Sequence, residues 1–315
     1  MLKKILVTGH CGYTGTKLTK KLLDEGFIVH GIDTMWYHQP KLKHQNLISH
    51  KLDLRKIENF DFPSDVYCVF HLANIANDPS VELDEKLSWE VNVLAGYKLI
   101  EKCIKAKIKK FIFASSGSVY GLKDEDKVTE DLSLLPISAY NKTKMIAERV
   151  FNSFNRDIEV FNIRPATVCG ISERMRLDVS VNMLTYQAVK DKKIKVFGGD
   201  QIRPNIHIDD LIDVYLHFLT KKLTPGTYNA GFENLKIIEI AEMIKLITNV
   251  PIEITKNSND PRSYRLSSEK LLRTGFMPKK NVKRAIEELY EIYVKDISKF
   301  SEKNFNVLWL KKILS

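Results

Sequence analysis

The segment "KKILVTGHCGYTGTKLTKKLLDEG" (residues 3–26) decides how this chain folds. Its first part, "KKILVTG" (3–9), is a short apolar run of the length a buried strand needs. Its last part, "TGTKLTKKLLDEG" (14–26), places apolar residues at helical spacing and ends on Gly26. Gly9, Gly12 and Gly15 stand three residues apart at the turn between them. Glycines there allow a tight bend, close backbone approach to a pyrophosphate, and a helix N-terminus aimed at the anion. The plainer reading is that they serve only the turn. The GxxGxxG spacing departs from the GxGxxG of the commonest dinucleotide fingerprint.

Outward from this unit the pattern repeats. "FIVHGID" (27–33) is a second strand, and Asp33 ends it about 20 residues past the turn, where a carboxylate accepts hydrogen bonds from an adenosine ribose. A carboxylate repels a 2′-phosphate, and no arginine follows in "DTMWYHQP" (33–40), so NAD(H) is the expected cofactor over NADP(H). "NLISHKLDL" (46–54), "DVYCVFHLA" (65–73), "KFIFASS" (110–116) and "IEVFNIRP" (158–165) read as further strands. A long helix is expected over 85–106 and another around Tyr140. This alternation implies an α/β fold with a Rossmann-like, doubly wound parallel sheet covered on both faces. The second half is less regular, with helical patterns over 182–190, 209–222, 237–248 and 281–297. The expected division is a dinucleotide-binding domain over 1–164, with 205–232 returning to it. A smaller, mostly C-terminal α/β substrate-binding domain takes 165–204 and 233–315.

Composition narrows the function. A chain of 315 residues with 44% hydrophobic and 28% charged residues has the make-up of a soluble globular protein. No run approaches the ~20 apolar residues of a membrane helix. "MLKKILVTG" passes straight into a strand pattern, so no secretory signal is read and a cytoplasmic, non-membrane protein is expected. Cys11, Cys68, Cys103 and Cys169 are widely spaced, which predicts neither a metal site nor a disulfide framework. The net charge is +10, and the densest basic run, "EKCIKAKIKK" (101–110), reads as a helix end passing into a strand. Without an aromatic-interleaved basic patch, nucleic acid is not an expected partner, and an anionic small molecule is the more economical one.

"SAYNKTKMIAE" (138–148) puts a tyrosine four residues before a lysine. Such pairs occur by chance on many solvated helix faces. Tyr140 and Lys144 lie one helical turn apart, ~6 Å along the axis, on one face. Acting as a base at neutral pH requires a tyrosine to drop ~3 pKa units, or ~4 kcal/mol. An ammonium ~5 Å away at an effective dielectric of 20 supplies about 3 kcal/mol. "FASSGSVYG" (113–121) adds Ser115, Ser116 and Ser118 at the C-terminal end of a strand, where open parallel sheets bind ligands.

Taken in order, "TGHCGYTG", "LDL" (52–54), "HLAN" (71–74), "EVNVLAG" (90–96), "SSGSVYG", "YNKTK", "NIRPATVCG" (162–170), "RPNIHIDD" (203–210), "YNAG" and "RLSSEKLLRTGFMPK" (265–279) span nearly the whole chain. The series resembles the extended short-chain dehydrogenase/reductase family, specifically its NAD-dependent nucleotide-sugar epimerases and dehydratases. The resemblance implies a catalytic triad. Tyr140 would take the proton of a sugar hydroxyl, Lys144 would hold the cofactor ribose and lower the tyrosine pKa, and Ser116 would bond the reacting oxygen. It implies cofactor contacts from Gly9, Cys11, Gly12, Tyr13, Thr14 and Gly15, then Asp33, Asp53 and Leu54, and from Leu72, Ala73, Asn74, Asn92, Ser115 and Pro165. Substrate contacts are implied for Ser118, Thr167 and Val196, and a grip on the nucleotide diphosphate for Asn182, Arg203 and Arg262. Arg174 and Arg176 stand beside the substrate loop, a departure from the usual galactose 4-epimerase pattern. Asn77 has two readings, a contact to sugar hydroxyls or a loop cap. The resemblance further implies a homodimer, a nucleotide-diphosphate sugar as partner, and a place in polysaccharide biosynthesis.

Dehydratases of this family carry acidic residues directly after the triad hydroxyl, where this chain has Gly117 and Ser118. That disfavours elimination of water and leaves redox chemistry at one sugar carbon. The expectation is a C4 epimerase working through a transient keto sugar. A 4-dehydrogenase or ketosugar reductase would use the same residues, and a non-catalytic NAD-binding partner protein is a competing class.

Overall fold

The computed structural model describes residues 3–37, 42–255 and 263–315. The opening segment forms strand β1 (Lys4–Thr8), helix α1 (Tyr13–Asp24) and strand β2 (Ile28–Asp33). With β3 (Leu47–Lys51), β4 (Val66–His71), β5 (Lys110–Ala114), β6 (Glu159–Pro165) and β10 (Gly226–Ala230) it builds a seven-stranded sheet in the order β10-β6-β5-β4-β1-β2-β3. Every pairing in it is parallel. The central strands are apolar runs because helices cover both faces; Ile5, Leu6, Val7, Val69, Phe70, Phe111, Ile112 and Phe113 are fully buried. The chain winds outward in both directions from the β1/β4 pair, so the C-terminal strand ends open a crevice there. This is the doubly wound sheet expected from the sequence.

The helix expected over 85–106 is interrupted. Helix α2 (Glu85–Trp89) passes through a π turn (Glu90–Leu94) into α3 (Ala95–Lys105). The wider turn holds Asn92 inside, where its amide accepts from the Ile75 N–H at 2.8 Å and donates to the Ile75 carbonyl and the Thr143 hydroxyl. The strand expected over 46–54 stops at Lys51, because Asp53 caps a 3-10 turn by accepting from the Arg55 N–H at 2.9 Å.

Helix α4 (Ala139–Asn152) packs on the same face as α3, through Ala147 and Phe151 against Leu99, Ile100 and Phe111. Its N-cap is Ser138, which accepts from the Asn141 N–H. β7 (Thr167–Cys169), β9 (Ile202–His207) and β11 (Glu233–Lys236) form a three-stranded sheet, and β8 (Ile194–Phe197) pairs with β12 (Ile252–Thr255). Helices α5 (Ser180–Lys190), α7 (Ile237–Thr248) and α8 (Val282–Lys295) share a second apolar core through Leu184, Ile240, Ile244, Ile286 and Leu289. Helix α6 (Ile208–Thr220) lies with α1 on the other face of the large sheet. The chain ends in α9 (Asn306–Leu314), which sequence patterning did not pick out. Among the described residues no helix is long and apolar enough to cross a membrane.

Candidate active site

Two adjoining cavities run along the C-terminal strand ends. One, of about 130 Å³, is lined by Gly9, Cys11, Asp33, Asp53, Leu54, Leu72, Ala73 and Asn74. The other, of about 430 Å³, is lined by Thr14, Gly15, Ser115, Ser116, Ser118, Tyr140, Lys144, Pro165 and Thr167, and shares Gly9, Gly12, Leu72 and Asn74 with the first.

The glycine turn is closely packed. Gly9 has φ +75°, and a Cβ there would meet the Ala73 nitrogen at 2.7 Å; a Cβ on Gly15 would meet the Gly9 carbonyl oxygen at 2.0 Å. Gly12 caps α1 with no side-chain acceptor, which leaves first-turn N–H groups for an anion. Asp33 is held by the Cys11 N–H at 3.0 Å and the Met35 N–H at 2.7 Å. Those contacts use two of the roughly four acceptor positions of a carboxylate and leave the rest for a ribose diol. Asn74 lines both cavities, and its buried amide has no hydrogen-bond partner among the described residues. An elongated cleft with a helix N-terminus, a fixed carboxylate and an unsatisfied amide fits a dinucleotide.

Tyr140 stands in the first turn of α4 and Lys144 one turn later, but the lysine is far from a solvated face. It is 3% exposed, donates to the Ala114 carbonyl at the end of β5 at 2.6 Å, and lies 5.8 Å from the Tyr140 ring centroid. Burial pulls its ammonium down to about 7, against the attraction of Glu148. The sign follows from linkage: with the folded pKa below the unfolded one, stability rises with pH between about 7 and 10.5. Below pH 7 the fold therefore carries the whole cost of the buried charge. Lys144→Met is accordingly expected to stabilise the dinucleotide-free protein by about 1–3 kcal/mol at pH 6, less the lost bond to Ala114. Denaturant unfolding at pH 6 and pH 10 checks this, and the gain should shrink at the higher pH.

Ser116 and Ser118 are linked hydroxyl to hydroxyl at 2.8 Å, and Ser118 donates to the Asn141 Oδ1 at 2.5 Å. Ser115 lines the cleft, but its hydroxyl is spent on Glu148. Glu148 also pairs with Arg164 in a bidentate bridge at 2.9 and 2.6 Å, both side chains buried. Arg164 donates in turn to Tyr120, and Tyr120 to Asn229. This network ties β5, β6 and α4 together directly beneath Ser116 and Pro165.

The residues expected on the substrate side divide by where the structure places them. Thr167, Arg174, Arg176 and Arg203 line the larger cavity, and so does Asn77. Asn77 caps the following turn by accepting from the Ser80 N–H at 3.0 Å, while its Nδ2 donates to Asp178 at 2.8 Å, which is the geometry of its loop-cap reading. Asn182 does not reach the cleft. Its amide accepts from the Gly170 N–H at 3.0 Å and donates to the Tyr13 hydroxyl and the Arg176 carbonyl, fastening α1 to α5. Tyr13 completes that knot by donating to the Gly170 carbonyl at 2.7 Å. Val196 is also displaced from the expected role, since strand alternation on β8 turns it into the second apolar core. Asn92 lines neither cavity and instead holds the backbone after Asn74. Arg262 lies outside the described residues.

Sequence reading missed Tyr37, Asp178, Tyr264 and Asn306 as cleft-lining residues. Asp178 had a signal, an acid two residues after Arg176 that now pairs with it at 3.0 Å. Asn306 had none.

Comparison with known proteins gives a consistent picture. The model of the NAD dependent epimerase/dehydratase family matches residues 5–231. A Bacillus subtilis protein described as an uncharacterized UDP-glucose epimerase is 34% identical over 269 residues, covering 78% of this chain and 82% of its own. The UDP-glucose 4-epimerase of Lactobacillus helveticus is 26% identical, over 88% of this chain and 92% of its own. Among solved structures, the UDP-glucuronic acid 4-epimerase of Bacillus cereus, in complex with UDP-glucuronic acid and NAD, superposes with a TM-score of 0.80 at 28% identity. The match covers 93% of this chain and 99% of that one.

Proposed function

The chain belongs to the NAD dependent epimerase/dehydratase family, and within it we propose that it is a nucleotide-sugar epimerase acting at the sugar C4 carbon. The observation that carries this reading is the meeting, in one cleft, of the glycine turn with Tyr140, Lys144 and Ser116. The residues that would hold NAD are those of the glycine turn, Asp33, Asn74 and Lys144. Bound there, NAD supplies the acceptor for a hydride from the sugar and its return.

The remaining work falls to side chains of this chain. Tyr140 accepts the proton of the C4 hydroxyl as the carbonyl forms and gives it back when the carbonyl is reduced. Lys144, held by the Ala114 carbonyl, sets the charge beside Tyr140. Ser116 gives its hydroxyl hydrogen to Ser118 in this structure, because Ser118 donates its own to Asn141. Turned toward the sugar it donates to the reacting oxygen instead, its own oxygen supported by the Ser118 N–H at 3.2 Å. Inversion requires the keto sugar to turn over in the cleft before reduction.

Support against water elimination comes from Gly117. A Cβ there would already press on the Pro165 carbonyl oxygen and the Tyr264 hydroxyl, each at 3.3 Å, so an acidic side chain has little room. The nucleotide sugars named for the three relatives described above carry uridine diphosphate, which makes UDP-sugars the first substrates to test.

The test is purified protein with NAD and a panel of UDP-, dTDP-, GDP- and CDP-sugars, with products resolved by NMR. A mixture of C4 epimers approached from either side, without net NADH, is the expected result. A 4-keto-6-deoxy product would replace the proposal with a dehydratase, and NADH matching product would replace it with a dehydrogenase.

A further inference from the structure

Helix α9 reaches the wall of the larger cavity. Its Trp309 Nε1 donates to the Trp36 carbonyl at 2.7 Å. Leu310 is 1% exposed and packs with Ile75, Val81 and Leu87, alongside Trp36 and Tyr140. The first residue of the helix, Asn306, is buried and lines the larger cavity. Its N–H donates to Asp178 Oδ2 at 3.2 Å, and its Oδ1 accepts from the Arg174 guanidinium at 2.6 Å.

The two arginines of this wall differ in what balances them. Arg176 is neutralised by Asp178 through contacts at 3.0 and 3.3 Å. Arg174 is 4% exposed, and its polar contacts are neutral oxygens: the Asn306 amide and, at 3.3 Å, the Lys303 carbonyl. Its guanidinium carbon stands 4.7 Å from the Tyr37 ring centroid. Among the described residues no carboxylate pairs with it, and its buried Nε–H has no partner. Asp178 and Asp33 attract it only from beyond salt-bridge distance, and a buried cation with no carboxylate in direct contact is costly unless a ligand supplies one.

We propose that Asn306 is a positioning residue which fixes Arg174 as the binding site for an anionic oxygen of the substrate. This would make the C-terminal helix, which lies beyond the family match at residues 5–231, part of the binding machinery. It rests on the nucleotide-sugar reading above and specifies one contact within it. The anion is either the diphosphate or a carboxylate on the sugar.

Calorimetric titration of NAD-loaded protein with UDP, UDP-glucose and UDP-glucuronic acid tests it without requiring turnover. Asn306→Ala is expected to weaken the anion-bearing ligand about tenfold, with NAD affinity within about twofold of wild type. Loss against all three ligands assigns Arg174 to the diphosphate. Loss against UDP-glucuronic acid alone assigns it to the sugar carboxylate. Asn306→Asp keeps the acceptor but cancels the charge of Arg174, so it too should weaken the anion while keeping the melting temperature. If Asn306→Asp binds like wild type, or Asn306→Ala leaves all three affinities unchanged, the inference is wrong. If wild type binds none of the three, uridine nucleotides are excluded as its substrates, and this contact with them falls separately from the wider nucleotide-sugar reading.

Discussion

Tyr140→Phe is expected to cut turnover at least ~100-fold, the usual scale for losing a general base, while dinucleotide affinity stays near wild type. The substitution removes one oxygen and leaves the ring, whose packing beside Ile75, Val81 and Leu310 does not depend on the hydroxyl. Lys144 keeps its bond to the Ala114 carbonyl, because that contact is made by the backbone of β5. The Ser116–Ser118–Asn141 chain of hydrogen bonds also survives. What disappears is the group that exchanges a proton with the sugar hydroxyl. Single-turnover measurement of hydride transfer, beside an NAD titration, separates the two effects. Turnover within about tenfold of wild type would remove Tyr140 from the chemistry, and with it the epimerase proposal.

The second large effect is on stability. Arg164→Met should cost about 3–5 kcal/mol, because it strands the Glu148 carboxylate in the interior. Glu148 accepts from Ser115 as well as Arg164, and neither partner of the ion pair is more than 5% exposed. Lys144 stands one turn before Glu148 on α4, and its attraction returns part of the loss. The pair should also be non-additive. Replacing both partners by apolar residues, Arg164→Met with Glu148→Leu, removes the stranded charge and should cost less than the two single changes together. Urea unfolding of the two singles and the double checks this; equal and additive losses would show that the bridge contributes only as independent packing. Because the bridge joins β5, β6 and α4 beneath Ser116 and Pro165, a loosened variant should also lose activity.

Much of the framework was readable from local pattern. The apolar runs of β1, β4 and β5, the three glycines and the Asp33 at the end of β2 each answer to a short-range physical demand: burial on both faces, backbone space, or a fixed distance along the chain. The misplacements have a common cause. The family resemblance implied ligand contacts for Asn182 and Val196, yet side-chain direction on α5 and β8 sends the amide into a knot with Tyr13 and Gly170 and the valine into the second core. The break in the helix at Glu90–Leu94 follows from the amide of Asn92 being taken up by the Ile75 backbone, 17 residues away in sequence.

By itself, then, the order of residues determined that strands and helices alternate, that a dinucleotide turn follows the first strand, and that a tyrosine and a lysine share one helical face. Tertiary structure alone decided that Lys144 is buried rather than solvated, that Glu148 and Arg164 lock beneath the site, and that Asn306 comes back to hold Arg174. Local signals depend on neighbours within a few residues, whereas burial and charge balance depend on which distant segments the fold brings together.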